Sequence, residues 1–311
     1  MQWTLPSADA AQVLAAPEWM AVAWFIILGG LLAMYAMLDG FDLGVGIVHF
    51  AAGRSATDRG NQIGAIGPVW DGNEVWLVVF GGALFAAFPL AYATIFSAFY
   101  LPLIFLLFFL IFRAATIELR HVFHRPAWHL LCDVGFSASS LLIAVTFGVA
   151  VGAMMQGLPL NEAGEFAPTP VEQYQAAGPI ESVRVLLSPF SVSAGLLAGA
   201  LCATHGAAYL CLKTSGAHAE RCRNVAIGCW VAFLVCVLLV TALALRDVPS
   251  ATRNMASAPW LWLVAVLGAT ATLWALVSMV KQRRVQAFAG TALMCLALVG
   301  LFMAALFPDI V

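Results

Sequence analysis

Two pairs of acidic residues lie in the most apolar part of the chain, and their spacing suits proton or cation chemistry. Asp39 and Asp42 occur in Leu-Asp-Gly-Phe-Asp-Leu-Gly, and Asp71 and Glu74 occur in Trp-Asp-Gly-Asn-Glu-Val-Trp. Each pair is spaced i, i+3, so on a helix both carboxylates point to one face. Because a carboxylate at membrane depth is costly unless it is paired, hydrated or protonated, both pairs are candidates for a proton- or cation-handling site.

Both pairs also have structural interpretations. Asp71 could act as a helix N-cap, with Glu74 completing a capping box. Asp39 and Asp42 could lie among lipid headgroups if the first apolar span ends before them. Otherwise they face a protein interior, where a neighbouring arginine or a bound cation keeps them ionised. The adjacent Trp70 suits either interpretation, since tryptophan favours the membrane interface.

The composition indicates an integral membrane protein. Hydrophobic residues make up 63% of the chain and charged residues only 10%, whereas soluble domains carry about 25% charged residues. No basic stripe is present that would bind nucleic acid. The seven cysteines form no C-x-x-C pair, which argues against a zinc site or a disulfide framework. Most of them fall in apolar segments, where cysteine behaves as a small hydrophobe.

The apolar segments predict an all-α membrane fold with about eight spans. Each segment is continuously apolar, whereas the strands of a membrane barrel alternate, and about 20 residues suffice for a helix to cross the bilayer core. The predicted spans are residues 19–51, 72–88, 91–113, 127–156, 188–212, 224–245, 258–280 and 286–307.

A long loop divides the chain into two sets of four spans. The predicted units are residues 1–158 and 188–311, separated by an extracytoplasmic loop over 159–187. The segment Gly29–Met34 resembles Ala194–Gly199, which suggests two four-helix bundles in a pseudo-repeat of parallel orientation. Some transporters are also built from parallel repeats, so the repeat does not by itself select a function.

The basic residues predict the orientation. Eleven of the fourteen Lys and Arg fall in the linkers after spans 1, 3, 5 and 7, and such loops are expected on the cytoplasmic side. Both termini are then outside, and Asp71 and Glu74 lie at the cytoplasmic start of span 2. The eleven residues are Arg54, Arg59, Arg113, Arg120, Arg125, Lys213, Arg221, Arg223, Lys281, Arg283 and Arg284.

Asp133 and His205 are secondary candidates. Asp133 follows His129 at i, i+4, so the two could form a local hydrogen-bonded pair on a helix. His205 lies well inside the fifth span, where it could bond to a neighbouring helix or ligate haem iron, and the hydrogen bond is the more common role. The spacing of the histidines predicts no metal site.

Four motifs together resemble subunit II, the smaller and non-haem subunit of cytochrome bd-type quinol oxidases, including the cyanide-insensitive branch. The motifs are Leu38–Gly46 (LDGFDLGVG), Ile66–Trp76 (IGPVWDGNEVW), Gly81–Pro89 (GGALFAAFP) and Phe96–Leu103 (FSAFYLPL). The resemblance implies a multi-pass subunit of the bacterial inner membrane. Its complex would oxidise quinol and reduce O2 to water.

The resemblance also implies how the cofactors and the roles are divided between the subunits. Haem b and haem d would belong to a larger partner subunit, so this chain would ligate no cofactor, although a bound quinone or phospholipid is compatible with it. A small single-span accessory subunit could also be present. Trp70 and Asp71 match the position of the family's cytoplasmic proton path. Asp39 and Asp42 match its first acidic motif, and Glu74 stands where some relatives have glutamine.

One departure and two alternatives remain. Members of this family usually have a ninth span, whereas this sequence stops at Val311, so either a segment is missing or this member lacks the last helix. A cation- or proton-coupled secondary transporter would also suit buried carboxylates in a parallel repeat. A purely structural partner subunit, with carboxylates that only cap helices and pair with arginines, is the third reading.

Overall fold

The computed structural model describes residues 18–160, 166, 183, 184, 186–259 and 261–307. The secondary structure in these segments is helical, apart from an isolated bridge between Leu160 and Phe166. The helices are α1 Glu18–Ile47, α2 His49–Ala52, α3 Ala56–Ile66, α4 Trp70–Ala87, α5 Pro89–Ala98, α6 Tyr100–Leu119, α7 Pro126–Gln156, α8 Pro189–Lys213, α9 Gly216–Asp247, α10 Pro249–Ser257, α11 Leu261–Val280 and α12 Arg284–Leu306.

The all-α membrane fold is confirmed, although the spans differ in detail from those predicted. Within the described segments, seven helices are long and apolar enough to cross a membrane: α1, α6, α7, α8, α9, α11 and α12. The predicted second span is helix α4, 18 residues long. It falls short of the other seven because its first turns carry Asp71, Asn73 and Glu74.

Prolines explain where several of these helices begin. Helix α4 ends before Phe88, and α5 begins at Pro89, since the residue before a proline is disfavoured in helical conformation. The predicted third span, 91–113, is divided at Phe99 into α5 and α6. Pro102 then lies in the first turn of α6, where its missing N–H removes no intrahelical bond.

Helix α8 is the central element of the described bundle. It packs against α1 and α7 from the first half of the chain and against α9 and α12 from the second. At the crossing of α1 and α8, Gly44 lies directly against the backbones of Cys202 and Gly206, so neither glycine has room for a side chain. Small residues therefore allow α1, which carries the acidic motif, to contact α8, which carries His205, backbone to backbone.

The division into residues 1–158, 159–187 and 188–311 stays a prediction. Much of the predicted extracytoplasmic loop lies outside the described residues, including Glu162, Glu165, Glu172 and Glu181. The extensive packing of α8 on both α1 and α7 makes the two halves continuous in their core.

Candidate functional site

The first acidic pair lies in the protein interior beside an arginine. Asp39, Asp42 and Arg113 are all completely buried. Arg113 on α6 donates a hydrogen bond from Nη2 to Asp39 Oδ1 at 2.8 Å. Asn73 on α4 donates from Nδ2 to Asp42 Oδ2 at 2.7 Å and to the carbonyl of Leu38 at 3.3 Å. Three helices thus assemble the cluster, and the headgroup interpretation of the pair is wrong.

Glu74 adds a third carboxylate to this cluster. Its side chain is 23% exposed, and its Oε2 lies 3.6 Å from Arg113 Nη1, too far for a hydrogen bond. Asp39 Oδ2, Asp42 Oδ1 and Arg113 Nε are buried and have no hydrogen-bond partner among the described residues. One guanidinium balances one of three carboxylates, so the cluster has the composition of a site that takes up protons or a cation.

The second acidic motif does not form a capping box. Helix α4 begins at Trp70, and its N-cap is Val69, which makes no side-chain capping bond. Asp71 and Glu74 are therefore inside the helix, and the capping interpretation of both is wrong. Asp71 is exposed on this chain, and its charge is favourable in the first turn because helix N-termini are electropositive. Trp70 is buried in the main hydrophobic core.

The acidic residues of α4 and α1 form a series in which solvent exposure decreases from one member to the next. Asp71 is exposed, Glu74 one turn later is partly buried, and Asp39 and Asp42 are fully buried. Asp71 and Glu74 are close enough to interact electrostatically, and Glu74 faces the guanidinium of Arg113. The structure thus connects the two motifs that the sequence treats as separate pairs.

Sequence reasoning did not identify Arg113 and Asn73 as members of this site. Arg113 was assigned to the linker after the third span, because the apolar run ends there. Helix α6 instead continues to Leu119, which keeps Arg113 at the depth of Asp39. The available signal was a lone basic residue directly after a long apolar run, in a chain with unpaired acidic residues at membrane depth.

Asp133 belongs to a different buried cluster. It accepts hydrogen bonds from Arg120 Nε at 2.6 Å, from Arg59 Nε at 2.7 Å and from His49 Nε2 at 3.2 Å. The predicted pair with His129 is wrong. Two guanidinium groups satisfy the buried carboxylate instead, because their charge compensates for the hydration that Asp133 loses on burial.

A chain of side-chain hydrogen bonds leads from this cluster to the second half of the protein. The hydrogen-bond partners of Gln62 determine the orientation of its side-chain amide. In this orientation the amide nitrogen of Gln62 donates to His49 Nδ1 at 2.8 Å. Its oxygen then accepts from the backbone N–H of Gly53 at 2.9 Å and from His218 Nε2 at 3.2 Å. His218 is on α9, so the buried amide bridges α2 and α3 to the start of that helix.

Asp58 forms a second link between the same helices. Its Oδ2 accepts a hydrogen bond from Arg221 Nη2 at 2.5 Å, and its Oδ1 lies 3.5 Å from His218 Nδ1. Burial alone would raise the pKa of Asp58, but the Ser55 amide and the charges of His218 and Arg221 hold it below its ordinary value. The ion pair therefore stabilises the folded chain above the ordinary pKa of an aspartate, and this stabilisation is lost as the pH falls through the lowered value.

His205 makes hydrogen bonds through both ring nitrogens. Its Nε2 donates to the carbonyl of Met37 at 3.0 Å, which leaves Nδ1 to accept from the Thr291 hydroxyl at 2.7 Å. The ring is completely buried and stacks on Phe288 with centroids 4.8 Å apart. The residue therefore joins α8 to α1 and α12, and neither nitrogen is free to ligate haem iron.

Taken together, the fold and this site define a multi-pass α-helical membrane protein with a buried ionic cluster close to an acidic helix start. A family model described as cytochrome bd terminal oxidase subunit II matches residues 20–311. The chain belongs to that family.

Individual relatives agree with this assignment. The chain is 36% identical over 222 residues to cytochrome bd-I ubiquinol oxidase subunit 2 of Escherichia coli K12, covering 71% of this chain. It is 31% identical over 231 residues to cytochrome bd ubiquinol oxidase subunit 2 of Bacillus subtilis, covering 74% of this chain. The chain spans 56% of the length of the first relative and 64% of the second.

A solved structure has the same fold. The bd oxidase from Geobacillus thermodenitrificans matches with a TM-score of 0.73 and 18% identity, over 93% of this chain and 85% of that one. At this level of identity the match concerns the arrangement of helices and not the chemistry of individual residues.

Proposed function

We propose that the chain is the smaller, non-haem subunit of a terminal respiratory complex that oxidises quinol and reduces O2 to water. Family membership over residues 20–311 carries this proposal, and the named ubiquinol oxidase relatives support the activity. The large partner subunit would hold haem b and haem d and oxidise the quinol. No observation on the described residues favours a secondary transporter instead.

Within this complex, the acidic series would deliver protons from the cytoplasm towards the O2-reducing haem. Asp71 would take up a proton at the surface, and Glu74 would pass it towards the Arg113 cluster. The support is the geometry: exposure decreases from Asp71 through Glu74 to Asp39 and Asp42, and the inner carboxylates have oxygens without hydrogen-bond partners. Trp70 would hold the start of α4 in place from its buried position.

Such a path would couple the reaction to energy storage. Quinol oxidation would release protons outside, and O2 reduction would consume protons that enter from inside. This arrangement builds a membrane potential without pumping a proton through the protein. It requires the bacterial inner membrane and the orientation that the basic linkers predict.

The described helices carry exposed apolar side chains that lipid or a partner would cover. Exposed apolar side chains run along α4, α5 and α6, among them Val78, Phe85, Leu90 and Phe108. Surfaces of this kind would have to accommodate the large partner subunit, bound lipid, a quinone and a small single-span accessory subunit.

Replacing the outermost carboxylate tests the proton path. We predict that Asp71→Asn lowers quinol:O2 turnover severalfold while the haem spectrum and subunit composition of the purified complex stay unchanged. The amide keeps the size and polarity of the side chain but removes the titrating group. Turnover is measured as quinol-dependent O2 uptake per haem.

Glu118→Gln is the matched control, because Glu118 is exposed on the same predicted side but lies outside the acidic series. Its turnover should equal that of the unmodified protein. Normal turnover of Asp71→Asn, with intact haem, would exclude Asp71 from the path and leave the family assignment unaffected.

A further inference from the structure

A cavity lined by both polar and apolar side chains lies at the ends of four helices in the second half of the chain. Its volume is about 250 Å3, well above the roughly 10–15 Å3 that a single water needs. Residues from the end of α8, the start of α9, the end of α11 and the start of α12 form its wall. It is distant in the sequence from the acidic series, and it shares no residue with that site.

Two arginines supply the charge of this cavity. Within the described segments, Arg223 Nε is buried without a hydrogen-bond partner, and Arg223 Nη2 lies 3.6 Å from Glu220 Oε1 in a loose ion pair. Arg284 donates from Nη1 to the carbonyl of Thr214 at 3.1 Å. Both guanidinium groups are close enough to Cys211, which also lines the cavity, to interact with it electrostatically. Since each guanidinium carries five N–H donors, most of this donor capacity is unused among the residues that the structure describes.

The backbone around the cavity also favours an anion. Helix α9 begins at Gly216 and α12 begins at Arg284, and neither helix has a side-chain N-cap bond. Both first turns line the cavity. Helix N-termini attract negative charge, so two of them reinforce the two arginines. Glu220 opposes this, but its side chain is 68% exposed, and such surface pairs are weak and easily exchanged.

We propose that this cavity binds a phosphoryl group, and that the phosphodiester of an anionic membrane lipid supplies it. Paired guanidinium groups match the planar, bidentate geometry of phosphate oxygens. The cavity lies at the ends of candidate membrane-spanning helices, on the side that the basic residues predict to be cytoplasmic, where we expect lipid headgroups. Basic pockets between spanning helices on the cytoplasmic side suit anionic headgroups in particular.

Lipid titration of the purified protein tests this site. The protein is purified from its native membranes with its co-purifying chains, stripped of loosely bound lipid and titrated with phosphatidylglycerol while the unfolding temperature is followed. We expect the lipid to raise this temperature. For each protein, the rise in unfolding temperature is measured from its own lipid-free value. The double variant Arg223→Gln/Arg284→Gln should need at least about tenfold more lipid for the same rise, because two charge-assisted contacts are lost.

Two further variants separate a site from general charge. Arg283→Gln removes an exposed neighbouring charge that does not line the cavity, and it should titrate like the unmodified protein. Arg223→Lys/Arg284→Lys keeps both charges without the planar fork, and it should fall between the unmodified protein and the glutamine variant.

A parallel titration with inorganic phosphate identifies the source of the phosphoryl group. A rise with the lipid and none with phosphate supports a lipid site. Equal rises with both, each lost in the glutamine variant, support a site for free phosphate. Identical titrations of the unmodified protein and the glutamine variant would overturn the proposal. If the glutamine variant does not fold, failure of the unmodified protein to retain phosphatidylglycerol over phosphatidylcholine in native mass spectrometry would overturn it as well.

Discussion

At the scale of single residues, Arg113 determines the character of the acidic site. It is fully buried, it bonds to Asp39 at 2.8 Å, and it faces Glu74 at 3.6 Å. A buried charge without its counter-charge is far more costly than a satisfied pair. The guanidinium therefore allows carboxylates to persist at this depth while some of their oxygens keep capacity for a proton.

We predict that Arg113→Gln destabilises the protein by about 3–5 kcal/mol, because it leaves Asp39 buried without a counter-charge. The measurement is the unfolding temperature of the protein in detergent, with yield from the membrane as a second readout. Arg125→Gln is the control, since Arg125 is exposed in the linker before α7. Equal unfolding temperatures for the two variants would mean that Arg113 does not neutralise the cluster.

Residue types indicated the acidic half of this site but not its basic half. Asp39, Asp42 and Glu74 were predicted as candidates because charge is rare in so apolar a chain. Arg113 was missed because the end of an apolar run does not reveal how far a helix continues. His129 was the wrong partner for Asp133, because local helical spacing carries no information on contacts to residues distant in the sequence.

At the scale of elements, the contact between α1 and α8 holds the two halves of the chain together. Gly44 and Gly206 bring the two backbones together, and His205 bonds across the same contact to Met37. Glycine in the acidic motif is compatible with close helix contact. Which helix makes the contact depends on tertiary packing, which a local motif does not encode.

We predict that Gly206→Ala destabilises the protein by about 1–3 kcal/mol or more, because the added methyl would collide with the backbone of Gly44. Gly30→Ala is the matched control on α1, where an added methyl meets nothing within 4 Å. That change should be neutral or stabilising by up to about 1 kcal/mol, since alanine favours helix over glycine. Unfolding temperatures compare the two. A tolerated Gly206→Ala would contradict the close contact.

The helices were predicted better than their ends. Continuous apolar runs identify spans, because every backbone group in lipid must be satisfied within a helix. The break at Phe99 was not predicted, since the runs on either side of it are equally apolar. The extension of α6 to Leu119 was not predicted because the apolar run ends at Arg113.

At the scale of the whole molecule, the distribution of basic residues predicts which side faces the cytoplasm. The linkers around His121 and between α8 and α9 would be inside, and the segment with α10 would be outside. This orientation supports the direction of the proposed proton path, because Asp71 must face the side from which protons are taken.

We predict that a cysteine at Ser257 reacts with a membrane-impermeant maleimide in intact spheroplasts, whereas a cysteine at His121 reacts only after lysis. Both positions are exposed on this chain. The unmodified protein gives the background, since its described cysteines are buried or partly buried. The opposite labelling pattern would reverse the orientation and the direction of the proton path.

The central claim is that this chain works as a subunit of a haem-containing quinol oxidase. The most direct test is to purify it from native membranes in mild detergent, identify every co-purifying chain and record the reduced-minus-oxidised visible spectrum with quinol-dependent O2 uptake. We predict a larger multi-span partner, bands of b- and d-type haem, and O2 uptake. A haem-free protein without a partner, with cation-dependent flux in liposomes, would contradict the claim and favour a transporter.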